Sequence, residues 1–274
     1  MRRDRTRNRF CRLIASLSYA VNASEPDAAA EMDDLLATAQ PPADAQDPFV
    51  IDGQALTPAE VIRYLRPVMT EDRLARIRAV VARRTNTVVP VVEGLVNTGN
   101  VSAVMRSAEA LGYQSFHVVR GEHDRFKHSE RTSQGAEKWL DLYRWPAPVP
   151  CVRYLRANGY RVAAMHLADE GVPIDALDFT VPTALVFGNE KQGVSPAMLE
   201  AVDASCIVPL SGFTESFNVS VAAAVALYHA QQDRLARQGH HADLGDEEQE
   251  ALVARFCMRS VRHATAILRR AMNA

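Results

Sequence analysis

Residues 183–224 read TALVFGNEKQGVSPAMLEAVDASCIVPLSGFTESFNVSVAAA. The stretch holds two apolar runs that are typical of buried strands, Ala184–Phe187 and Cys206–Pro209. Each run is followed at once by a polar loop that contains glycine, residues 188–193 and residues 211–216. Because ligands of open parallel sheets bind where strands end in such loops, we predict a ligand site here. Neither loop matches the GxGxxG dinucleotide motif or the GxxxxGKS phosphate loop, so the ligand is held in another way.

Strand-like and helix-like patterns alternate around this stretch from Thr87 onwards. Strands separated by helices of this length predict a parallel α/β sheet with helices on both faces. Pro90 is unusual for a central strand, because proline cannot donate to the ladder of hydrogen bonds. Further strands are predicted at 88–92, 116–119 and 161–165, and helices at 100–112, 149–158, 196–202 and 216–237.

The bulk composition is that of an intracellular globular protein. With 274 residues, 47% of them apolar, the chain can bury one good core. No run of about 18 apolar residues is present, which predicts no membrane span. The four cysteines form no CxxC pair and the eight histidines are dispersed, so we predict neither disulfides nor a metal site.

A net charge of −2 conceals strong segregation of charge at the N-terminus. Residues 1–20 carry six arginines and one acid on an amphipathic spacing, which fits either an organelle-targeting segment or a frayed basic tail. Residues 25–48 carry seven acids and no bases, which predicts a linker. Residues 1–50 are therefore predicted as a disordered or targeting segment. The expected location is the cytoplasm, or a mitochondrion or chloroplast if residues 1–20 are a targeting segment.

Basic helices are predicted on both sides of the α/β part. Residues 57–60 (Thr-Pro-Ala-Glu) form a capping box that opens two helices, roughly 58–66 and 71–84, with seven arginines and three acids. These arginines either coat a solvated face or contact phosphates. A C-terminal helix over 247–271 places four arginines on one face, which favours phosphate contacts over a simple match to the helix dipole. Those arginines are Arg255, Arg259, Arg262 and Arg269.

Three polar clusters follow one another along the chain, accompanied by SQGAEKW at 133–139. The clusters are Glu93-x6-Asn100-x5-Arg106, then Gly188-Asn189-Glu190-x-x-Gly193, and then Pro209-Leu210 with Ser216-Phe217-Asn218-Val219-Ser220. With these motifs in this order, the sequence from about Thr57 onwards resembles the TrmH group of the SPOUT class of RNA ribose 2′-O-methyltransferases.

The resemblance implies a fold and a cofactor. The segment of roughly 184–225 would thread through a loop to form a deep trefoil knot, which periodicity alone would not predict. The protein would form a homodimer, and the mostly apolar stretch 219–228 suits packing against a second copy. S-adenosylmethionine would lie in the knot loops. Its expected contacts are Met165, Gly188, Val208, Leu210 and Phe217.

The resemblance also implies which residues act on the substrate. Arg106 would stand at the centre of catalysis, with Asn100, Glu190, Ser216 and Asn218 around it, and Glu190 would hold Arg106 or a backbone amide. Whether Arg106 acts as a base or stabilises the developing 2′-oxyanion stays open, although a guanidinium remains protonated in proteins. The residues expected to bind RNA are Arg63, Arg76, Arg83, Arg84, Lys138, Arg255, Arg259 and Arg262.

The flanking regions indicate the substrate. With a short basic N-terminal segment and a basic C-terminal helix, the chain resembles the enzymes that methylate guanosine 18 in the D-loop of tRNA. Ribosomal RNA as substrate, or an RNA-binding relative without essential catalysis, remain alternatives. The expected organisation has a basic tRNA-binding extension at 51–86, a methyltransferase domain at 87–238 and a basic C-terminal helix at 239–274.

Overall fold

The computed structural model describes residues 49–95, 97–120, 133–167 and 171–273. The predictions for residues 1–48, a basic segment followed by an acidic linker, lie outside the described residues. None of the described helices is long and apolar enough to cross a membrane.

Seven strands form a sheet in which every paired neighbour is parallel. A separate antiparallel hairpin precedes it, made of β1 (Val50–Ile51) and β2 (Gln54–Ala55). The sheet strands are β3 (Val88–Glu93), β4 (Ser115–Val119), β5 (Asp141–Trp145), β6 (Arg161–Met165), β7 (Val172–Pro173), β8 (Thr183–Phe187) and β9 (Ala204–Ile207). Their spatial order is β5-β4-β3-β8-β6-β9-β7, which confirms the predicted parallel α/β sheet. The sequence did not predict β5, β7 or the hairpin.

The helices begin close to the predicted positions, and the predicted capping box is present. The Thr57 hydroxyl accepts a hydrogen bond from the backbone N–H of Glu60 at 3.3 Å, and the Glu60 carboxylate accepts one from the Thr57 N–H at 2.8 Å. The helices are α1 (Pro58–Leu65), α2 (Glu71–Val81), α3 (Thr98–Ala110), α4 (Pro148–Ala157), α5 (Pro196–Ala201), α6 (Val219–Gln238), α7 (Asp246–Ser260) and α8 (Ala264–Met272).

Helices cover both faces of the sheet, because successive residues of a strand point to opposite sides. Val88 and Val92 of β3 pack in one cluster with residues of α3 and α6. Val89 and Val91 pack in a second cluster with residues of α4 and α5. Every residue of β3 is buried, as a strand enclosed on both faces requires.

Pro90 lies in an interior strand, where the sequence made it unexpected. Thr85 bridges Tyr113, and the next recorded pair joins Val91 to His117. Between these two pairs the chain advances six residues on β3 but only four on β4. The two extra residues form a bulge in β3. Proline is tolerated in such a bulge, since no ladder bond to β4 requires its missing N–H.

The terminal helices share a core of their own, separate from the two clusters on the sheet. Leu65 of α1, Ile77 of α2, Phe256 of α7 and Leu268 of α8 pack together with Ile51 of the hairpin. The sequence treated the N- and C-terminal segments as separate extensions. Their apolar faces meet in this third core, so the two segments fold against each other.

The single C-terminal helix predicted over 247–271 is wrong. The chain leaves the helix after Ser260, and His263 adopts a left-handed conformation with φ of 59° before α8 begins. No proline or glycine marks this break, so the sequence carried no signal for it. The arginines on either side of the break therefore do not share one helical face.

Candidate functional site

The loop after β8 closes on itself in a compact turn. The N–H of Asn189 donates to the carbonyl of Gly193 at 2.8 Å, and the reverse bond is 2.9 Å long. Gly193 has φ of 71°, a conformation that favours glycine. A Cβ on Gly188 would lie 2.3 Å from the carbonyl carbon of Gly193 and 2.3 Å from the nitrogen of Val194. Glycine at position 188 is therefore required by the close approach of two backbone segments.

Two side chains anchor this loop to the end of β3. The amide of Asn189 donates to the carbonyl of Gly94 at 2.6 Å, while its oxygen accepts from the N–H of Lys191 at 2.8 Å. The buried carboxylate of Glu93 accepts from the N–H of Ser195 at 3.0 Å and from its hydroxyl at 2.5 Å. Glu93, the first member of the predicted polar clusters, thus holds the loop and the N-terminus of α5.

A cavity of about 570 Å³ lies where β6, β8 and β9 end and α6 begins. The loop after β8 and the loop before α6 form its walls. The cavity is also lined by His166, Lys191 and Glu215, which the sequence did not single out although each lies within two residues of a predicted contact or loop. All five residues predicted to bind a cofactor line it: Met165, Gly188, Val208, Leu210 and Phe217.

At the rim of this cavity, three polar residues from distant parts of the chain meet. The Asn100 amide donates to the Glu190 carboxylate at 2.7 Å. The Asn218 amide donates to the side-chain oxygen Oδ1 of Asn100 at 3.4 Å, while the Asn218 side-chain oxygen accepts from the N–H of Ser220 at 2.9 Å and so caps α6. The cap of α3 is Asn97, which leaves the Asn100 side chain available for Glu190. Ser216 also lines the cavity.

Arg106 lies elsewhere in the described chain. It is exposed and lines a second cavity of about 300 Å³, together with Arg73 and Arg76 of α2. The expected contact between Glu190 and Arg106 is corrected, because Glu190 bonds to Asn100 instead. Asn100 and Arg106 are six positions apart in α3, a rotation of about 600°, so the two side chains leave the helix in directions about 120° apart.

The basic residues expected to bind RNA fall into three groups: one is buried, two are paired with an acid and five are exposed. Arg84 is 1% exposed, donates to the carbonyl of Tyr113 at 3.0 Å and pairs with Glu109 at 2.6 Å, which corrects its expected place on an RNA surface. Arg255 and Arg259 pair with the buried Asp141 at 3.4 and 2.9 Å, so their charges are partly neutralised. Those that remain exposed are Arg63, Arg76, Arg83, Lys138 and Arg262.

The one cysteine that lines the larger cavity is not prepared for nucleophilic chemistry. Burial raises the pKa of the Cys206 thiol to about 12, with a smaller opposing effect of Arg161. The sulfur lies 3.3 Å from the sulfur of Met165. A thiol with this pKa stays protonated at neutral pH, and the thiolate is the reactive form. Cys206 is therefore a packing residue.

The fold and the site define a class of α/β protein that binds a small ligand at the carboxyl ends of its parallel strands. Residues 87–228 match the SpoU rRNA Methylase family. The match covers more than half of the chain, and the chain belongs to this family. It is therefore a methyltransferase.

Relatives and solved structures agree with this family. A tRNA (guanosine(18)-2′-O)-methyltransferase of Aquifex aeolicus (strain VF5) is 34% identical over 174 residues, which are 64% of this chain and 81% of the relative. The 23S rRNA (guanosine(2553)-2′-O)-methyltransferase RlmP of Bacillus subtilis (strain 168) is 31% identical over 186 residues, which are 68% of this chain and 70% of the relative. The sequence therefore has relatives with two kinds of RNA in their names.

Among solved structures, the TrmH/SpoU tRNA modifying enzyme of A. aeolicus is similar with a TM-score of 0.65 and 31% identity, covering 70% of this chain and 98% of that one. The SpoU methyltransferase AviRb of Streptomyces viridochromogenes, solved in complex with S-adenosylmethionine, has a TM-score of 0.51 and 28% identity, covering 61% of this chain and 67% of that one. The family depends on S-adenosylmethionine, which confirms the predicted cofactor.

The lining of the larger cavity fits this cofactor. S-adenosylmethionine combines a flat aromatic adenine with a sulfonium cation and a charged amino-acid end. Phe187, Val208 and Leu210 provide an apolar wall, and the charged Lys191 and Glu215 lie along the same cavity. A few polar groups in a largely apolar cleft are the usual composition of a cofactor site.

Proposed function

We propose that the protein transfers a methyl group from S-adenosylmethionine to the ribose 2′-hydroxyl of guanosine 18 in the D-loop of tRNA. The observation that carries this proposal is the contact of Asn100, Glu190 and Asn218 at the rim of the cofactor cavity. These residues come from three separate motifs, and no packing requirement accounts for their meeting at an exposed rim. The name of the Aquifex relative supports the particular nucleotide.

In this proposal the protein positions the two substrates, and the cofactor supplies the reactive group. S-adenosylmethionine supplies an electrophilic methyl group, so the protein has to align the accepting oxygen and assist removal of its proton. Met165, Gly188, Val208, Leu210 and Phe217 hold the cofactor. Gly188 lines the cavity, and because it has no side chain the backbone of Gly193 and Val194 can pack directly against it.

The polar rim orients the substrate. Glu190 fixes the Asn100 amide, and Asn218 connects Asn100 to the first turn of α6. Ser216 lies in the same wall and can donate to a ribose oxygen. Arg106 lies outside this rim, at the second cavity, and its guanidinium can stabilise negative charge on the ribose oxygen or on the adjacent phosphate of an RNA that reaches both cavities.

The exposed face of α6 supports the expected homodimer. Val221, Val225 and Tyr228 recur at spacings of four and three and are all exposed. Such a stripe on one helical face is suited to burial against a second copy of the chain. We further infer that residues 184–225 adopt the trefoil knot implied by the resemblance, since the cofactor cavity is built from the loops of that segment.

The RNA surface in this proposal consists of exposed basic residues of the terminal segments together with Lys138 of the domain at 87–238. Arg63, Arg76 and Arg83 lie on or directly after α1 and α2, Lys138 lies in the 3₁₀ turn at 136–138, and Arg262 follows α7. Because α1, α2, α7 and α8 share one core, residues 51–86 and 239–274 act as one RNA-binding unit beside the domain at 87–238. Arg84 is left out, because it is buried.

A ribosomal RNA substrate is the second candidate. The observation in its favour is the RlmP relative, which matches slightly more of this chain than the Aquifex relative does. Both candidates use the same cofactor and the same ribose oxygen, so only the RNA distinguishes them.

The test is transfer of labelled methyl from S-adenosylmethionine to an unmodified tRNA transcript, beside the same tRNA with 2′-deoxyguanosine at position 18. Label in the first RNA alone is the expected result. Label in both moves the target to another nucleotide, and label only in a 23S rRNA fragment selects the second candidate. In the same assay Arg106→Ala should abolish turnover while calorimetry still detects S-adenosylmethionine binding.

A further inference from the structure

The second cavity, of about 300 Å³, is built where four elements meet, and we call it the arginine groove. Its basic residues are Arg73 and Arg76 of α2 and Arg106 of α3. Trp139, after the 3₁₀ turn, and Phe256 of α7 form its apolar part. Segments from both ends of the chain thus join the helix that carries Asn100 and Arg106.

The groove carries an excess of positive charge. Glu109 is the one acid among its lining residues, and its carboxylate is 2.6 Å from the guanidinium of the buried Arg84. In the described part of the chain, the guanidinium groups of Arg76 and Arg106 have no carboxylate partner. Three guanidinium groups therefore border one cavity whose only carboxylate is already paired, an arrangement that attracts an anion.

One of the three arginines is held in position before any ligand binds. The guanidinium carbon of Arg73 lies 5.2 Å from the ring centroid of Trp139, and its Nη2 donates to the Ser260 hydroxyl at 3.3 Å. Trp139 is in turn fixed edge-on against Phe256 at 5.1 Å. A guanidinium restrained in this way loses less conformational entropy when it binds a phosphate.

We propose that the arginine groove binds one phosphate-bearing nucleotide of the RNA strand, at a site separate from the cofactor cavity. This inference rests on the proposed function, since it names a subsite for the RNA substrate. The volume lies at the lower end of the range for small-molecule sites, which suits a single nucleotide. Guanidinium groups bind phosphate oxygens through paired hydrogen bonds, so the terminal helices and α3 would hold the same nucleotide. RNA that binds α2 is thereby also held at a set distance from Asn100, which lies on α3 with Arg106.

Intrinsic fluorescence can follow occupancy of the groove directly. The chain has two tryptophans, and Trp145 is 2% exposed in the core of the sheet, so Trp139 is the one at the groove. The full chain is titrated at low salt with guanosine 5′-monophosphate and with guanosine. We expect the nucleotide to change the fluorescence and guanosine to leave it unchanged. Trp139→Phe should remove the signal, which assigns it to the groove.

The variants are R73A/R76A and, as a matched control, Arg153→Ala, an exposed arginine of α4 on the opposite face of the sheet. Loss of two charge-assisted contacts should weaken binding of nucleotide and tRNA at least about tenfold. The slope of log K for tRNA against log salt should fall in magnitude by about 0.7, because the two arginines neutralise one phosphate of single-stranded RNA. R153A should match the wild type in both measurements.

The inference is overturned if R73A/R76A, with an unchanged circular dichroism spectrum, binds tRNA with the affinity and salt slope of R153A. It is also overturned if guanosine changes the fluorescence as much as its monophosphate does. These results are separate from the methyl-transfer assay. If guanosine 18 is methylated but R73A/R76A binds tRNA as R153A does, this inference alone is refuted. If R73A/R76A weakens tRNA binding but guanosine 18 is not methylated, the proposed function alone is refuted.

Discussion

Replacement of Gly188 by alanine adds one methyl group at the tightest point of the cofactor loop. The new carbon would lie 2.3 Å from two backbone atoms, the carbonyl carbon of Gly193 and the nitrogen of Val194. Ordinary contact between such atoms begins near 3.5 Å, so the loop has to open by about 1.2 Å. Backbone cannot rotate out of the way as a side chain can.

The free-energy cost of opening the loop comes from overpacking and from the hydrogen bonds that the opening breaks. Overpacking of this kind costs about 1 to 3 kcal/mol. The two bonds between Asn189 and Gly193 lie across the same gap, and each contributes about 1 kcal/mol. If the opened loop no longer shapes the cofactor wall, a cost of about 2 to 3 kcal/mol lowers affinity for S-adenosylmethionine roughly 30- to 150-fold.

Calorimetric titration with S-adenosylmethionine measures this effect, and Gly212→Ala is the matched control. Gly212 lies in the loop between β9 and α6, where a Cβ would come no closer than 3.9 Å to the Thr214 nitrogen. The control should therefore bind as the wild type does. Asn189→Ala is the second variant, since it removes the bond to Gly94 without adding any atom. Affinity of Gly188→Ala within threefold of the wild type would refute the assigned role of this glycine.

Three further outcomes are expected. Burial lowers the pKa of His117 to about 3, below the roughly 6.5 of a histidine in an unfolded chain, so acid should destabilise the fold. Between pH 6.5 and 4.5 the wild type should lose about 2 to 3 kcal/mol more unfolding free energy than His117→Phe does, and urea unfolding at both pH values checks this. Arg84→Ala should lower the free energy of unfolding by about 3 kcal/mol, because it removes a buried guanidinium that pairs with the partly buried Glu109, whereas the exposed Arg83→Ala should change it by less than about 0.5 kcal/mol in the same urea experiment. Asn218→Ser should keep the cap of α6 and hence thermal stability but lose the bond to Asn100, and unchanged turnover in this variant would show that Asn218 acts only as a cap.

Much of the cofactor site could be predicted from the sequence, because its residues lie where strands end. Apolar runs such as Ala184–Phe187 define a strand locally, and the glycine loop that follows defines its end. In a parallel sheet these ends lie along one edge, so Met165, Gly188 and Val208 reach one cavity. The one strand that looked anomalous, with Pro90, is explained by a bulge that only the pairing register reveals.

Tertiary structure alone decided which polar side chains become partners. Asn100 and Glu190 are 90 positions apart, and no local period connects them, so the sequence analysis expected Glu190 to hold Arg106 or a backbone amide instead. The same holds for the arginines: Arg83 and Arg84 are neighbours with the same chemistry, yet one is exposed and the other is buried beside Glu109.

The sequence by itself determined the alternation of helices with the central strands, the cofactor loops and the family, since these depend on patterns within a few residues. Tertiary structure decided that both terminal segments share one core, that the C-terminal helix breaks near His263, and that Arg106 borders a second cavity. The reason is that burial and ion pairing depend on which surface a side chain meets. That surface is supplied by residues far away in the chain.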